Sequence, residues 1–178
     1  VLLEGQVIID HADGLQLAAS AGEAFFIPKG TVCSWRQEGN LRKFFVIHSD
    51  ASGLAPTAAG ALQARKIDFA AALAPSEGPP AALLETPMPE CREAVAFTDL
   101  TGQLTAGIWS ATPYRRKAVA SPRHELMHIL DGEVTLFDGA GREETFTAGD
   151  TLFVPRGAVA GWSSAVPVRK MFCAFTPA

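Results

Sequence analysis

Gly149-Asp-Thr-Leu-Phe-Val-Pro155-Arg-Gly157 and Gly22-Glu-Ala-Phe-Phe-Ile-Pro28-Lys-Gly30 carry one pattern twice, 127 residues apart. In both, a glycine turn opens a short apolar run that a proline and a second glycine close, which reads as a strand between two turns. Working outward at the same offset, residues 1–50 fall on residues 128–177 without a gap, and fourteen of these fifty positions are identical. They include Gly5/Gly132, Gly14/Gly141, Trp35/Trp162, Arg42/Arg169 and Lys43/Lys170. The chain reads as an internal duplication.

Each copy reads as strands and turns. In the second, Glu133–Phe137, Glu143–Thr147, Thr151–Val154 and Val168–Phe175 are expected strands, with Asp138-Gly139 and Gly149-Asp150 as the turns. Their even spacing predicts antiparallel barrels that close to remove open edges. Between the copies, residues 51–93 are rich in Ala and Pro and read as a linker. So long a connection favours some structure of its own, and residues 59–73 suit a short helix. The organisation expected is therefore an N-terminal barrel over residues 1–50, a linker over 51–93 and a C-terminal barrel over 94–178. The second copy has strands near residues 103–112 and Glu125 that the first lacks. The repeat thus predicts about thirty or more residues ahead of Val1, together with any signal peptide.

Composition narrows the function. The 178 residues hold 15 Lys+Arg against 19 Asp+Glu, a net charge of −4 that argues against nucleic acid or an anionic membrane as partner. The longest stretch without a charged residue, 51–64, contains Gly and Pro and is too short to span a bilayer. Three cysteines without a C-x-x-C pair make no disulfide framework, so a reducing, cytoplasmic setting is expected.

The doubled G-x5-P-x-G pattern, with Glu125 seven residues ahead of Gly132, resembles the two motifs of the cupin superfamily. The run Gly107-Ile-Trp-Ser-Ala-Thr-Pro113, the Trp after Pro-x-Gly and Pro-Val-Arg-Lys at 167–170 are similar to one branch. It holds the ureidoglycine aminohydrolase-type and ethanolamine-utilisation-type cupins. The resemblance implies an all-β bicupin, built from tandem double-stranded β-helix barrels of the RmlC-like jelly-roll kind. Cupins of the usual pattern hold Mn, Fe, Zn or Ni with two histidines and the glutamate of motif one, plus a histidine of motif two. Here those histidine positions fall on Ala118, Ala120 and Ala160, and only Glu125 is left. One carboxylate cannot hold a transition metal that takes three or four ligands, so no cofactor is expected in the second barrel. In the first copy the motif-two position is Cys33. A divalent metal there would need Cys33 and residues ahead of Val1.

His124-Glu-Leu-Met-His128 also fits H-E-x-x-H, whose zinc chemistry needs a helix to stack residues i and i+4 on one face. On a strand the two histidines lie roughly 13 Å apart and cannot share an ion. The repeat aligns this stretch with strand sequence, so the metalloprotease reading falls. Strand parity then sends Glu125, Met127 and Ile129 inward and His124, Leu126, His128 and Leu130 outward. That outer face calls for a cover, either the other cupin domain or a second subunit, and hence a homodimer.

Trp162 shares the inward parity of Ala160, as Trp35 does with Cys33. Each Trp either plugs its barrel or walls a small flat ligand. One residue of each Arg-Lys pair should reach the interior, and spacing leaves open which. Glu125, buried beside Met127 and Trp162, is the acid/base candidate, because burial would raise its pKa. The candidate ligand-binding set is Trp109, Glu125, Met127, Trp162 and Lys170 in the second copy, with Cys33, Trp35 and Lys43 in the first. Cys33 reads as a buried packing thiol or a reactive one, and His11 and His48 as surface histidines. Two functions follow. One is a metal-free small-molecule-binding cupin. The other is an enzyme resembling the ureidoglycine aminohydrolase type, acting on a small nitrogenous or carboxylate metabolite.

Overall fold

A computed structural model describes residues 1–49 and 62–178. Its contacts divide the chain into two units, Val1–Asp68 with Asp99–Gly102, and Phe69–Thr98 with Gln103–Ala178. Both are built from β-strands. Among the described residues the one helical segment is a single 3-10 turn at Ala81–Leu83.

The first unit holds β1 (Leu2–Glu4), β2 (Gln6–His11), β3 (Gln16–Ser20), β4 (Ala24–Phe26), β5 (Cys33–Arg36), β6 (Arg42–Lys43) and β7 (Arg65–Ile67). They pair antiparallel as β3-β2-β5, β1-β6 and β4-β7. Alternation along β2 sends Val7 and Ile9 into a small core with Leu2, Ala19 and Ala64.

The second unit holds β8 (Ala74–Ser76), β9 (Cys91–Thr98), β10 (Leu104–Ala111), β11 (Tyr114–Ala120), β12 (His124–Asp131), β13 (Glu133–Phe137), β14 (Glu143–Thr147), β15 (Thr151–Val154), β16 (Val159–Ser164) and β17 (Val168–Phe175). A six-stranded sheet, β15-β12-β17-β10-β9-β8, and a four-stranded sheet, β11-β16-β13-β14, contribute side chains to one core. This is a jelly roll: Met127, Ile129 and Val168 come from one sheet, and Tyr114, Val134 and Trp162 from the other. The four strands read from the sequence between Glu133 and Phe175 have the observed boundaries.

The pairings of the two units repeat at the sequence offset. Ile8↔Arg36 and Ile9↔Trp35 in the first unit correspond to Thr135↔Ser163 and Leu136↔Trp162 in the second. Leu2↔Lys43 corresponds to Ile129↔Lys170. The turn ahead of the second motif repeats as well, since the Ser20 N–H donates to Glu23 and the Thr147 N–H to Asp150.

Three expectations need correction. The helix over residues 59–73 is not formed in its described part, because Arg65–Ile67 is strand β7; residues 59–61 lie outside the described residues. Its pairs Phe26↔Arg65, Phe25↔Lys66 and Ala24↔Ile67 match Phe153↔Leu126, Leu152↔Met127 and Thr151↔His128. Residues 65–67 thus take beside β4 the place that the first half of β12 takes beside β15, and sheet pairing overrides helix propensity. The second unit begins ahead of Ala94, since β8 adds to β9 and Leu84 bridges to Arg116. His11, read as a surface residue, is buried on the inner face of β2.

Candidate functional site

The site is built on the inner faces of both sheets of the second unit. On β12, Glu125 and Met127 share one parity, and on β17 it is Lys170 rather than Arg169 that turns inward. Across β10 its neighbour is Trp109, and across β12 it is Ile129. On the opposite sheet Tyr114, Arg116, Ala160 and Trp162 face them. Together they line a cavity of about 560 Å³, with Glu77, Pro80, Glu93 and Arg123 also on its wall.

The aromatic wall is ordered ring by ring. Trp162 stacks on Tyr114 at 5.7 Å and meets the edge of Trp109 at 5.8 Å. Its indole N–H donates to Ser164 Oγ at 3.3 Å, which satisfies the buried polar end of the ring. The Lys170 ammonium lies against both indoles, 4.8 Å from the Trp109 centroid and 5.1 Å from that of Trp162. Its Nζ donates to Glu125 Oε1 at 2.9 Å and lies 2.9 Å from Met127 Sδ. The other carboxylate oxygen, Oε2, accepts from Arg123 Nε at 3.1 Å and Nη2 at 3.0 Å. Lys170 and Glu125 expose only 9% and 12% of their side chains, so this pair sits largely out of water.

Three titrations follow. Burial pushes the Glu125 carboxyl up, but the Lys170 ammonium and the Arg123 guanidinium outweigh it and hold the acid below its ordinary value. The expectation of a raised Glu125 is therefore overturned, because the sequence could not show two cations converging on it. Burial lowers the Lys170 amine, and Glu125 offsets only part of that shift. Burial also drives the Tyr114 phenol far upward.

Acid stability tests this assignment. Glu125 binds a proton more readily in the unfolded chain, whose ordinary value is 4.5, than in the folded one. The folded state is therefore favoured above pH 4.5, and this contribution drains away as pH falls through the lowered folded value. Stability of Glu125→Gln followed by urea midpoint from pH 6 to 3 should lack that part of the acid slope. An unchanged slope would remove Glu125 as the titrating group.

The residues present do not fit a transition metal. Both oxygens of Glu125 are engaged by cations, and Ala160 stands on the cavity wall where the motif-two histidine would be. Among the described residues no three His, Cys, Asp or Glu side chains converge to hold an ion. The H-E-x-x-H histidines lie on strand β12. His124 stacks between the rings of Phe153 and Phe175 at 6.1 and 6.0 Å, and His128 Nδ1 shares a 2.8 Å hydrogen bond with Thr151 Oγ1. Within the same unit Phe69 covers part of that outer face, 6.4 Å from the His128 ring, and Arg169 donates to the Phe69 and Ala71 carbonyls.

The candidates of the first copy are more open to solvent, and Cys33, read as a buried thiol or a reactive one, is not buried. Cys33 is exposed and Trp35 is 39% exposed, because among the described residues β5 pairs only with β2 whereas β16 is flanked by both β13 and β11. Lys43 still lies over Trp35 at 3.9 Å, as Lys170 does over Trp162. His48, read as a surface residue, is largely buried and pairs with Asp99 at 3.0 Å.

Sequence reading missed Tyr114, Arg116 and Arg123. The signal for Arg116 was present: in Arg115-Arg116-Lys117, strand alternation turns the middle residue inward, and its Nη1 donates to the Ala160 carbonyl at 3.1 Å. Tyr114 and Arg123 follow only from which strands become neighbours.

Comparison with known proteins agrees with this architecture. Residues 98–172 match the family model described as an EutQ-like cupin domain. A protein of unknown function from Pseudomonas syringae pv. tomato, of the DUF861 family, superposes with a TM-score of 0.81 at 29% identity. That match covers 98% of this chain and 72% of that one. The EutQ protein of Clostridium difficile aligns at 18% identity over 51% of this chain and 65% of its own, with a TM-score of 0.43. A putative ethanolamine utilization protein Q of Salmonella typhimurium aligns at 21% over 48% and 69%, with a TM-score of 0.42. No curated protein matches the chain. Among the described residues no helix is long and apolar enough to cross a membrane. The second unit, a jelly roll that matches the EutQ-like model over most of its length, carries a cupin domain.

Proposed function

We propose that the chain is a bicupin whose second barrel binds a small carboxylate or zwitterionic molecule without a metal. The observation that carries this reading is the Lys170–Glu125 pair at the wall of an aromatic cavity of about 560 Å³. The cavity is of the size that takes a metabolite, and a few polar groups among apolar rings are what fix such a ligand's orientation. The pairings repeated at the sequence offset support the duplication.

The test is tryptophan fluorescence titrated with small carboxylates and zwitterions, since Trp109 and Trp162 both face the cavity. Saturable quenching is expected. Lys170→Met, which removes a charge-assisted hydrogen bond, should weaken binding about tenfold or more. If no compound of the set quenches saturably, the binding reading falls.

A second reading, an enzyme acting on a small nitrogenous or carboxylate metabolite, is favoured by one feature. Lys170 is a buried amine held beside a carboxylate, and such lysines serve as bases and nucleophiles. Turnover abolished by both Lys170→Met and Glu125→Gln would select it.

A further inference from the structure

We propose that Lys170 is a nucleophilic amine that condenses with the carbonyl group of a small α-oxo acid inside the cavity. The proposal rests on the small-molecule reading above and extends it from binding to a covalent step. The geometry supplies each part. Lys170 Nζ lies at the cavity wall beside two indole faces, 4.8 and 5.1 Å away. Glu125 Oε1 is 2.9 Å from it and accepts a hydrogen bond from it. Arg116, on the facing sheet, brings a positive charge to the same cavity for the acid group of the substrate.

Two features separate this lysine from an ion pair that merely fills a core. It faces open space large enough for a substrate, and burial together with the Arg123 and Arg116 charges favours its neutral, nucleophilic form. The condensation balances without an oxidant or reductant. The ammonium passes one proton to Glu125 along the 2.9 Å hydrogen bond, and the free amine attacks the carbonyl carbon. Glu125 hands that proton to the carbonyl oxygen, takes the second proton from nitrogen and returns it to the same oxygen, which leaves as water. A protonated imine remains, so the charge on nitrogen is unchanged.

The experiment uses the whole chain with pyruvate and sodium cyanoborohydride at neutral pH, followed by peptide mass mapping. An N-carboxyethyl adduct at Lys170 is expected at about ten times or more the level on the exposed Lys117, because only the buried amine is activated. Lys170→Arg keeps the charge but cannot condense, so it should lose the adduct at that position. Lactate, which has the acid group but no carbonyl, should bind and suppress the labelling. Labelling of Lys170 no greater than that of Lys117, with lactate still quenching the tryptophans saturably, would overturn the covalent step and leave the binding reading standing. Neither labelling nor quenching by any carboxylate would overturn both.

Discussion

Glu125→Gln should cost the second unit about 3–5 kcal/mol at pH 7, because it leaves the buried Lys170 ammonium without a counter-charge. The ceiling on that loss is set by a proton. Lys170 can escape its unpaired charge by deprotonating, at about 1.4 kcal/mol for each pH unit below its ordinary value of 10.5. The penalty therefore shrinks as the pH rises, to no more than about 2 kcal/mol at pH 9. Lys170→Met should cost less, since Glu125 keeps both hydrogen bonds from Arg123. The double variant should recover most of the Glu125→Gln loss, because two neutral side chains need no mutual neutralisation. Urea unfolding of the four proteins at pH 7 and 9, followed by tryptophan fluorescence, gives the coupling energy. Additive single-variant effects, or a Glu125→Gln penalty unchanged by pH, would show that the pair does not hold the cavity together.

That pair also marks where the sequence stops being informative. The strands were legible because glycine, proline and alternating apolar residues are local signals, and the 127-residue offset let each copy check the other. Strand parity was enough to turn Glu125, Met127 and Trp162 inward. It could not choose between Arg169 and Lys170, because the choice depends on the register of β17 against β10 and β12, which places Lys170 opposite Trp109 and Ile129. Nor could it find Arg123, which folds back from just ahead of β12 onto Glu125 and joins Lys170 in reversing the direction of its pKa shift. The misread segment at residues 65–67 has the same origin. Its alanine-rich surroundings favour a helix, and only the vacant place beside β4 makes it a strand. Local chemistry was readable throughout; what needed the fold was which strand came to lie beside which.

Gly132→Ala should cost about 4 kcal/mol or more, an exceptional loss for one methyl group at a surface turn. Gly132 joins β12 to β13, the point where the chain leaves the six-stranded sheet for the four-stranded one. Its φ of 79° lies in the left-handed region, where a side chain costs about 1–2 kcal/mol by itself. The rest comes from space, because a Cβ at this position would run into the carbonyl oxygen of Pro167 and press on Val168 behind it. Those are backbone atoms at the start of β17, so relief would move the strand that carries Lys170 into the cavity. Gly141→Ala is the control, since its φ of 95° is equally unfavourable but nothing lies within 4 Å of the added carbon. It should lose only the conformational part. The first unit repeats the device at Gly5, whose φ is 77° and whose Cβ would meet the Asn40 carbonyl oxygen between the same two strands of that copy. Urea midpoints for the three alanine variants, with Trp35 reporting on the first unit and Trp109 and Trp162 on the second, should show two large losses and one small one. Equal losses at Gly132 and Gly141 would mean that backbone strain alone sets the cost. A larger loss at Gly132 would assign the difference to the close approach of β17, on which the position of Lys170 depends.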